Sequence, residues 1–352
     1  MKLLTPGPVM ARRSVLEAAS RQVISHRGPA FRGLMRGLQE KLAAILGLAD
    51  GMVAVMPGSG TTAVDSMLWS LIPPRSRVTV LSWGDFGERI AKSLQARGAT
   101  VRLARAPWGQ ALSLEEALEA LEGSEYAAVV HNETSTGVAY RQLKRLAEEA
   151  SGMGVKLLVD TVSGLGGEHL SMEWGIYAAA TCSHKAIAAP PGVGMVALSR
   201  EALKDLRERG TQGVPPILDL DKYRRFLEER METPFTPPVN TLYALDKALE
   251  HILQQGIRNH IEAHRERAAI LYNAGPQPLP PGELRSNTVV ALKVQDAHKV
   301  KEELERRGYI IAHGMGKLKN TIVRIGTMGD ITTEDIRQVA EILASIITRI
   351  QY

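Results

Sequence analysis

The sequence is poor in cysteine and in long apolar runs, and each absence excludes a class of protein. Cys182 is the one cysteine among 352 residues, which excludes an intrachain disulfide and a paired-cysteine metal site, so no metal is predicted. No window approaches the ~18 consecutive apolar residues of a membrane span. Residues 1–8 contain no apolar stretch long enough for a signal peptide. We therefore expect a soluble, cytoplasmic protein that has no membrane partner.

The sequence also lacks any block of one charge sign. Its 43 Lys and Arg residues and 38 Asp and Glu residues give a net charge of +5. This mild excess is spread along the chain, so the sequence does not indicate a nucleic-acid surface. A basic balance fits small anionic ligands equally well. Apolar residues make up 44% of the chain, which is enough for a sizeable core, and the length predicts about two domains.

Apolar, β-branched runs alternate with amphipathic segments as far as residue 209. Strands are predicted at residues 52–56, 78–81, 100–103, 127–131, 156–160, 177–182 and 194–198. Helices are predicted at residues 63–71, 87–97, 114–121, 143–153 and 200–209. This alternation predicts an α/β domain with a mostly parallel, seven-stranded sheet. Such sheets bind ligands at the carboxyl ends of their strands.

The alternation breaks between residues 211 and 239. The sequences TQGVPP and TPFTPPV in this stretch are rich in turn residues and cannot continue a sheet. Two long helices are predicted after the break, at residues 242–255 and 257–274. The elements predicted beyond them are strand 289–294, helix 298–307, strands 309–312 and 321–325, and helix 333–350. This pattern predicts a smaller, carboxyl-terminal α+β domain.

Two of the predicted strands end in residues that suit a flat, anionic ligand. PGSGTT at residues 57–62 follows the first strand, and glycines before a helix N-terminus form a cradle of N–H groups for an anion. Residues 58–63 also fit the spacing of a dinucleotide-binding turn, so both ligands stay open. Phe86 lies between two glycines after the next strand and could stack on a flat ring or belong to the core.

An acid and an amine follow two further strands. Asp160 ends a buried strand, where a carboxylate needs a partner such as a helix N-terminus or a protonated ring nitrogen. Lys185 follows the next strand among small apolar residues, and desolvation there would increase its free-amine fraction. The polar run at residues 132–137 could orient a polar ring or form an ordinary turn. Together these strand ends offer an anion cradle, an aromatic side chain, a carboxylate and an amine. They match the phosphate, the ring, the ring nitrogen and the aldehyde of pyridoxal 5′-phosphate.

The chain resembles the class V aminotransferases of fold type I, and most closely the alanine–glyoxylate and serine–pyruvate aminotransferase family. The resemblance covers nearly the whole sequence and is strongest at HNETSTGV, residues 131–138. Its other motifs are TPGPV, SHRGPAF, PGSGTTAV, FGER, LLVDTVSGLGG, CSHKAIAAPPGVG and VRIGTMG. The family implies a large cofactor-binding domain, here residues 16–240. It also implies a small domain formed by residues 1–15 together with residues 241–352.

The resemblance implies which residues hold the ring of pyridoxal phosphate. Lys185 would bond covalently to the cofactor and later carry the proton that leaves the substrate. Asp160 would pair with the pyridine nitrogen. Val162 would pack under the ring, and Phe86 would stack on its other face. Lys185 and Asp160 are therefore the predicted catalytic residues.

The phosphate contacts of the cofactor are implied in the same way. The backbone N–H groups of Gly60 and Thr61 would hold the phosphate together with His184. Thr134 would form a hydrogen bond with the cofactor. His184 replaces the glutamine that is usual before the lysine in close relatives, and an imidazole can still donate a hydrogen bond.

The resemblance also implies a substrate pocket and a partner subunit. Arg324 would clamp the substrate α-carboxylate, for which a planar, bidentate guanidinium is suited. Gly7 and Pro8 would line the pocket. Thr236 would complete the phosphate site of the neighbouring subunit, which implies a homodimer. Thr233 stands where some relatives carry a tyrosine that reaches the partner's phosphate, and its side chain is shorter.

The implied reaction is a ping-pong transfer of an amino group from alanine or serine to glyoxylate or pyruvate. A phosphoserine or 2-aminoethylphosphonate aminotransferase stays open, because a basic residue such as Arg27 could receive a second phosphate. A cysteine desulfurase needs a reactive cysteine well after the lysine, whereas Cys182 precedes it. A dinucleotide-dependent oxidoreductase would leave Asp160 and Lys185 unexplained and is disfavoured.

Overall fold

The computed structural model describes residues 1–350, with side chains as far as residue 346. The strands are β1 (Lys2–Leu3), β2 (Gly51–Gly58), β3 (Arg77–Ser82), β4 (Thr100–Arg105), β5 (Tyr126–Val130), β6 (Asn132–Glu133), β7 (Val138–Ala139), β8 (Lys156–Asp160), β9 (Ala178–Cys182), β10 (Gly192–Ser199), β11 (Val289–Lys293), β12 (Tyr309–Ile310), β13 (Ala312–His313) and β14 (Ile322–Gly326). The helices are α1 (Arg13–Ala19), α2 (Pro29–Leu46), α3 (Gly60–Leu71), α4 (Asp85–Arg97), α5 (Leu114–Leu121), α6 (Leu143–Gly152), α7 (Arg200–Arg209), α8 (Leu220–Arg230), α9 (Val239–Gln255), α10 (Ile257–Tyr272), α11 (Ala297–Arg306) and α12 (Thr333–Ile350).

A seven-stranded sheet in the order β2-β10-β9-β8-β5-β3-β4 forms the centre of the larger part. β10 is antiparallel to both of its neighbours, and every other pair in the sheet is parallel. β5 and β9 are buried along their whole length, as expected for strands covered on both faces. The prediction of a mostly parallel, seven-stranded α/β sheet is confirmed.

The carboxyl ends of β2, β3, β5, β8 and β9 lie at the same edge of this sheet. Helix α3 begins there at Gly60, three residues before the predicted start. The cause is a cap at Ser59, whose side chain accepts from the backbone N–H of Thr62, while the Thr62 hydroxyl accepts from that of Ser59. Gly60 and Thr61 are therefore the first helical residues, and their N–H groups have no acceptor within the helix.

The local structure departs from the sequence pattern at three places. The stretch between residues 211 and 239 contains helix α8, because Leu220, Tyr223 and Leu227 recur at helical spacing and Asp219 caps the first turn through its side chain. The predicted strand at residues 309–312 is two short strands, β12 and β13, which pair with different sheets. Helices α1 and α2 occupy a region in which the sequence pattern predicted no element.

A second core lies in the carboxyl-terminal part of the chain. β11, β14 and β13 form an antiparallel sheet, and β1 pairs in parallel with β12. Leu4 is buried in this core with Val290, Ile325 and Leu343, so the amino terminus packs against the carboxyl-terminal elements. Helix α9 packs into the core around the seven-stranded sheet. The division into a large domain at residues 16–240 and a small domain formed by the rest of the chain stays a prediction. Among the residues described, no helix is long and apolar enough to cross a membrane.

Candidate active site

Lys185 lies in a tightly closed loop between β9 and β10. The backbone N–H of Ala188 donates to the carbonyl of Lys185 at 2.9 Å, and that of Ala189 donates to Ser183 at 2.9 Å. The Ser183 hydroxyl donates to the carbonyl of Pro190 at 2.7 Å. Ala188 has a φ of 59°, a left-handed conformation that costs roughly 1–2 kcal/mol in a residue with a Cβ. The loop therefore holds the backbone of the lysine in one conformation.

The amine of Lys185 is half-buried and has a single hydrogen-bond acceptor among the described residues. Nζ donates to the carbonyl of Pro6 at 2.7 Å. Burial lowers the pKa of Lys185 and the charge of Arg324 lowers it further, while the carboxylate of Asp160 raises it. The result is a larger fraction of free amine, which is the form that attacks a carbonyl carbon.

The loop at residues 5–9 lies against the amine of Lys185 because the residue before it is hydrogen-bonded to β14. The carbonyl of Leu4 accepts from the backbone N–H of Gly326 at 2.7 Å, which holds the loop against β14. Gly7 then lies so close that a Cβ on it would fall 2.7 Å from Cε of Lys185, and its φ is +123°. Gly7 therefore lies beside the reactive nitrogen, whereas Pro8 is exposed.

Asp160 ends β8 with only 6% of its surface exposed. Its Oδ1 accepts a hydrogen bond from the backbone N–H of Val162 at 2.9 Å, and no described residue forms an ion pair with it. Burial raises the pKa of Asp160 to about 6, against the opposing effects of that hydrogen bond and of the charges on Lys185 and Arg89. A cationic group placed beside it would keep this carboxylate ionised at neutral pH.

Five of the residues predicted to hold the cofactor line one cleft together with Arg89; the five are Gly60, Thr61, Phe86, Asp160 and Val162. A Cβ on Gly60 would lie 2.6 Å from Cγ1 of Val162, so only a glycine lets the N-terminus of α3 approach this closely. The guanidinium of Arg89 lies 4.7 Å from the ring centroid of Phe86 and donates to the Thr61 hydroxyl at 3.3 Å. Arg89 is a site residue that the sequence analysis missed, although Phe86 and Arg89 are one helical turn apart in FGER.

His184 carries a buried polar atom without a partner. Its Nδ1 has no hydrogen bond among the described residues, and its Nε2 lies 3.6 Å from Sγ of Cys182. The sulfur of Cys182 is near the backbone N–H groups of both Gly60 and His184, which brings the backbone of residue 184 near the N-terminus of α3. Burial lowers the pKa of His184 to about 4. The ring is therefore neutral at physiological pH and can donate through only one nitrogen.

Thr134 and Arg324 contact each other, and their hydrogen bonds are with other groups of the chain. The Thr134 hydroxyl donates to Oγ of Ser163 at 2.8 Å, and the Thr134 carbonyl accepts from Nη1 of Arg324 at 3.0 Å. Nε of Arg324 donates to the carbonyl of His313 at 2.8 Å. Burial lowers the pKa of Arg324 to about 10, which leaves it fully charged at neutral pH. Two carbonyls thus orient the guanidinium, and its Nη2 has no partner among the described residues.

Thr236 lies outside the cleft of its own chain. It is exposed in the connection between α8 and α9 and is absent from the residues that line the cleft. Thr233 is buried, and its hydroxyl donates to the carbonyl of Phe235 at 2.8 Å. The Thr233 side chain is therefore engaged within its own loop.

Glu133 is a second site residue that the sequence analysis missed. It is fully buried, and its carboxylate accepts from the backbone N–H groups of Phe86 at 3.2 Å and Gly87 at 3.3 Å. It also accepts from the N–H of Ser135 at 3.1 Å. Burial raises the pKa of Glu133 to about 7, while the hydrogen bonds from Ser135, Gly87 and Phe86 oppose the rise. Glu133 thereby fixes the first turn of α4, which carries Phe86.

The arrangement fits pyridoxal phosphate, the cofactor that the sequence resemblance implies. The N-terminus of α3 and the unpartnered nitrogen of His184 offer donors for a phosphate. Asp160 is a buried carboxylate without an ion-pair partner, which a pyridinium nitrogen would supply. Lys185 offers a desolvated amine. Each part of the cofactor therefore has a matching group in the chain.

Comparison with known proteins gives the same family. The model of the family described as Aminotransferase class-V matches residues 12–339. An uncharacterized aminotransferase of Methanocaldococcus jannaschii is 33% identical over 93% of this chain and 87% of its own. A serine–glyoxylate aminotransferase of Arabidopsis thaliana is 28% identical over 94% of this chain and 86% of its own. The crystal structure of an alanine–glyoxylate aminotransferase from Nostoc sp. has a TM-score of 0.91 and 30% identity, covering 98% of this chain and 94% of its own. The chain belongs to the class V aminotransferases, fold type I enzymes that depend on pyridoxal phosphate.

Proposed function

We propose that this enzyme transfers the amino group of alanine or serine to glyoxylate or pyruvate, in two half-reactions at one site. The observation that carries the choice of a small donor is the packing of the Pro6–Gly7 backbone on Lys185, with Nζ 2.7 Å from the Pro6 carbonyl. Little space is left beside the reacting nitrogen, which suits a substrate with a short side chain. Relatives named for serine and alanine as donors and glyoxylate as acceptor support the same choice.

The bound cofactor supplies an electron-withdrawing ring that stabilises the negative charge left on Cα when a proton leaves. Asp160 would keep the ring nitrogen protonated by direct charge pairing. Lys185 would accept the proton from Cα and deliver it to C4′ of the cofactor, for which its lowered pKa suits it. Val162 and Phe86 would hold the two faces of the ring. Gly60, Thr61 and His184 would hold the phosphate.

Arg324 holds the carboxylate of either substrate. Its guanidinium is fixed by the carbonyls of Thr134 and His313, so little rotamer entropy is lost when the substrate binds. A carboxylate held there brings Cα towards Lys185, since the two side chains are close enough for Arg324 to lower the pKa of the lysine. Thr134 acts through its own backbone carbonyl, which accepts from Arg324. Its hydroxyl, which donates to Ser163, would also contact the cofactor.

A phosphorylated donor is the second candidate, and one observation weighs against it. Arg27 could receive a second phosphate only if its guanidinium were free. It forms an ion pair with the buried carboxylate of Glu232 at 3.0 Å and donates to the carbonyl of Thr233 at 2.6 Å. Arg32 binds the other oxygen of Glu232 at 2.8 Å. A phosphate would have to displace this network, which favours an unphosphorylated substrate.

Half-reactions with single amino acids test the substrate. Each donor is added to purified holoenzyme without a keto acid, and the visible absorption band of the lysine-bound cofactor is followed. Alanine or serine is expected to abolish the band, and glyoxylate or pyruvate to restore it. If only phosphoserine or 2-aminoethylphosphonate abolishes the band, the assignment of a small donor is wrong.

We also propose a homodimer in which Thr236 serves the partner's phosphate site. The exposure of Thr236 away from its own cleft supports this role. Mixed dimers of Lys185→Ala and Thr236→Ala chains separate the two arrangements. If Thr236 acts across the interface, one site of each mixed dimer has both residues intact and retains cofactor with wild-type affinity. If Thr236 acted within its own chain, both sites would be defective.

A further inference from the structure

A second cavity lies against the loop that carries Lys185 and shares no residue with the cofactor cleft. Its volume is about 260 Å³. Its walls come from residues 186–188, directly after the lysine, from helices α9 and α10, and from residues 329–333. Two arginines and three histidines line it; they are Arg12, Arg267, His251, His260 and His264. We refer to it as the arginine–histidine cavity.

Arg267 brings a nearly buried charge to this cavity. It is 8% exposed, its Nε donates to the carbonyl of Ala263 at 2.9 Å, and its Nη1 donates to that of Ile331 at 3.2 Å. No described carboxylate lies within ion-pair distance of it. Burial and the charge of Arg12 together lower the pKa of Arg267 to about 10, while the charge of Glu266 opposes the shift. Both arginines therefore line one cavity, and among the described residues neither forms an ion pair with a carboxylate.

The other polar groups of the wall do not compensate this charge. Asp330 is the acidic residue of the wall, and among the described residues it pairs with neither arginine. Burial lowers the pKa of His260 to about 4, and that of His264 falls well below its usual value for the same reason, so both rings are neutral. Two arginines and one carboxylate thus line the cavity, and the charge of Arg267 is the buried one. A buried charge without a partner is costly unless a ligand supplies the opposite charge.

We propose that the arginine–histidine cavity binds a small oxyanion, a carboxylate or phosphate group, between Arg12 and Arg267. A planar guanidinium pairs two oxygens of such a group at once. The volume corresponds to several water molecules at about 30 Å³ each, which suits a small organic acid or inorganic phosphate. His260 ties the site to the lysine loop, because its Nε2 lies 3.2 Å from the carbonyl of Ala186. An anion bound here lies directly behind the loop that holds Lys185.

Calorimetric titration of the holoenzyme tests this site, with inorganic phosphate and, separately, succinate as probes at constant ionic strength. At least one probe is expected to bind saturably, with one site per chain, and the probe that binds identifies the anion. Arg267→Gln is expected to weaken this binding at least about tenfold, because a charge-assisted contact with a buried guanidinium is lost. Arg12→Gln is expected to weaken it several-fold. If neither probe binds the wild-type holoenzyme, the proposal is overturned.

Two variants distinguish this site from general charge effects and from the substrate pocket. Arg13→Gln removes the neighbouring arginine, which is exposed and paired with Glu17 at 2.8 Å, and binding should be unchanged. Arg324→Gln should also leave it unchanged. Binding that survives both Arg12→Gln and Arg267→Gln, or that is lost in Arg324→Gln, contradicts the proposal. Should Arg267→Gln fail to fold, Arg12→Gln decides, because Arg12 is exposed and its replacement leaves the buried core intact.

Discussion

Nζ of Lys185 donates a hydrogen bond to the backbone carbonyl of Pro6, across 179 residues of sequence. The contact joins the loop after β9 to the amino-terminal loop, which is held in turn on β14 next to Arg324. Both cores of the chain therefore contribute to one site. The predictions that follow concern residues whose positions depend on this junction.

Gly7→Ala is expected to lower kcat/KM by on the order of 100-fold, because displacement of a reacting group by about 1 Å has that effect. The new Cβ would overlap the side chain of Lys185, and the φ of +123° disfavours any residue other than glycine. Steady-state kinetics and the visible spectrum of the cofactor measure the effect.

Gly33→Ala is the matched control for this substitution. Gly33 lies within helix α2, and a Cβ there would meet no atom within 4 Å. It should leave activity unchanged and raise the free energy of unfolding by about 0.5–1 kcal/mol. Equal activity of the Gly7 and Gly33 variants would show that the amino-terminal loop does not restrict the lysine.

Asp160→Asn is expected to lower the activity of the enzyme and to raise the stability of the apoenzyme. Activity should fall by at least about 10²-fold, because the charge that stabilises the cationic ring nitrogen is lost. The apoenzyme should become more stable above pH 6, by up to about 2–3 kcal/mol, because the ionised carboxylate is disfavoured by burial. The raised pKa of about 6 gives this sign. Kinetics together with urea unfolding of the apoenzyme measure both effects, and a variant with lower stability and intact activity would contradict the assigned role.

Glu133 is expected to make the stability of the apoenzyme depend on pH. Burial raises its pKa from 4.5 to about 7 in the folded protein, so the folded state binds more protons than the unfolded state between these values. Glu133 therefore contributes fully to the free energy of unfolding below pH 4.5. This contribution, at most on the order of 3 kcal/mol, is lost as the pH rises through about 7.

Urea unfolding of the wild type and of Glu133→Gln at a series of pH values measures this dependence. The difference in the free energy of unfolding between the two proteins should shift in favour of the variant between pH 5 and pH 8. A difference that stays constant with pH would mean that Glu133 is ionised throughout. Because Glu133 also caps the helix that carries Phe86, the variant should bind the cofactor more weakly.

The residues at the strand ends could be predicted from the sequence because the physics is local. Asp160 ends one buried strand and Lys185 lies shortly after the next, and the carboxyl ends of parallel strands meet at one edge. The glycines around residue 60 and the capping residue Ser59 indicate the anion-binding turn at the start of α3. None of these inferences needs knowledge of a distant contact.

Glu133 and Arg89 could not be assigned in this way, because their roles depend on tertiary neighbours. Glu133 acts on the first turn of α4, and this contact exists only because β5 lies beside β3 in the sheet. Arg89 contacts Thr61 across two strand ends. Helix α8 was missed because the prolines on both sides of it dominate the local pattern.

Reduction of the holoenzyme with borohydride, followed by peptide mass mapping, tests the central claim most directly. Borohydride makes the bond between the cofactor and its lysine permanent, so the modified residue can be identified. The mass of the reduced cofactor should be found on the peptide that contains Lys185, and Lys185→Ala should carry no such adduct. An adduct on a different lysine, or none on the coloured wild-type enzyme, would contradict the account.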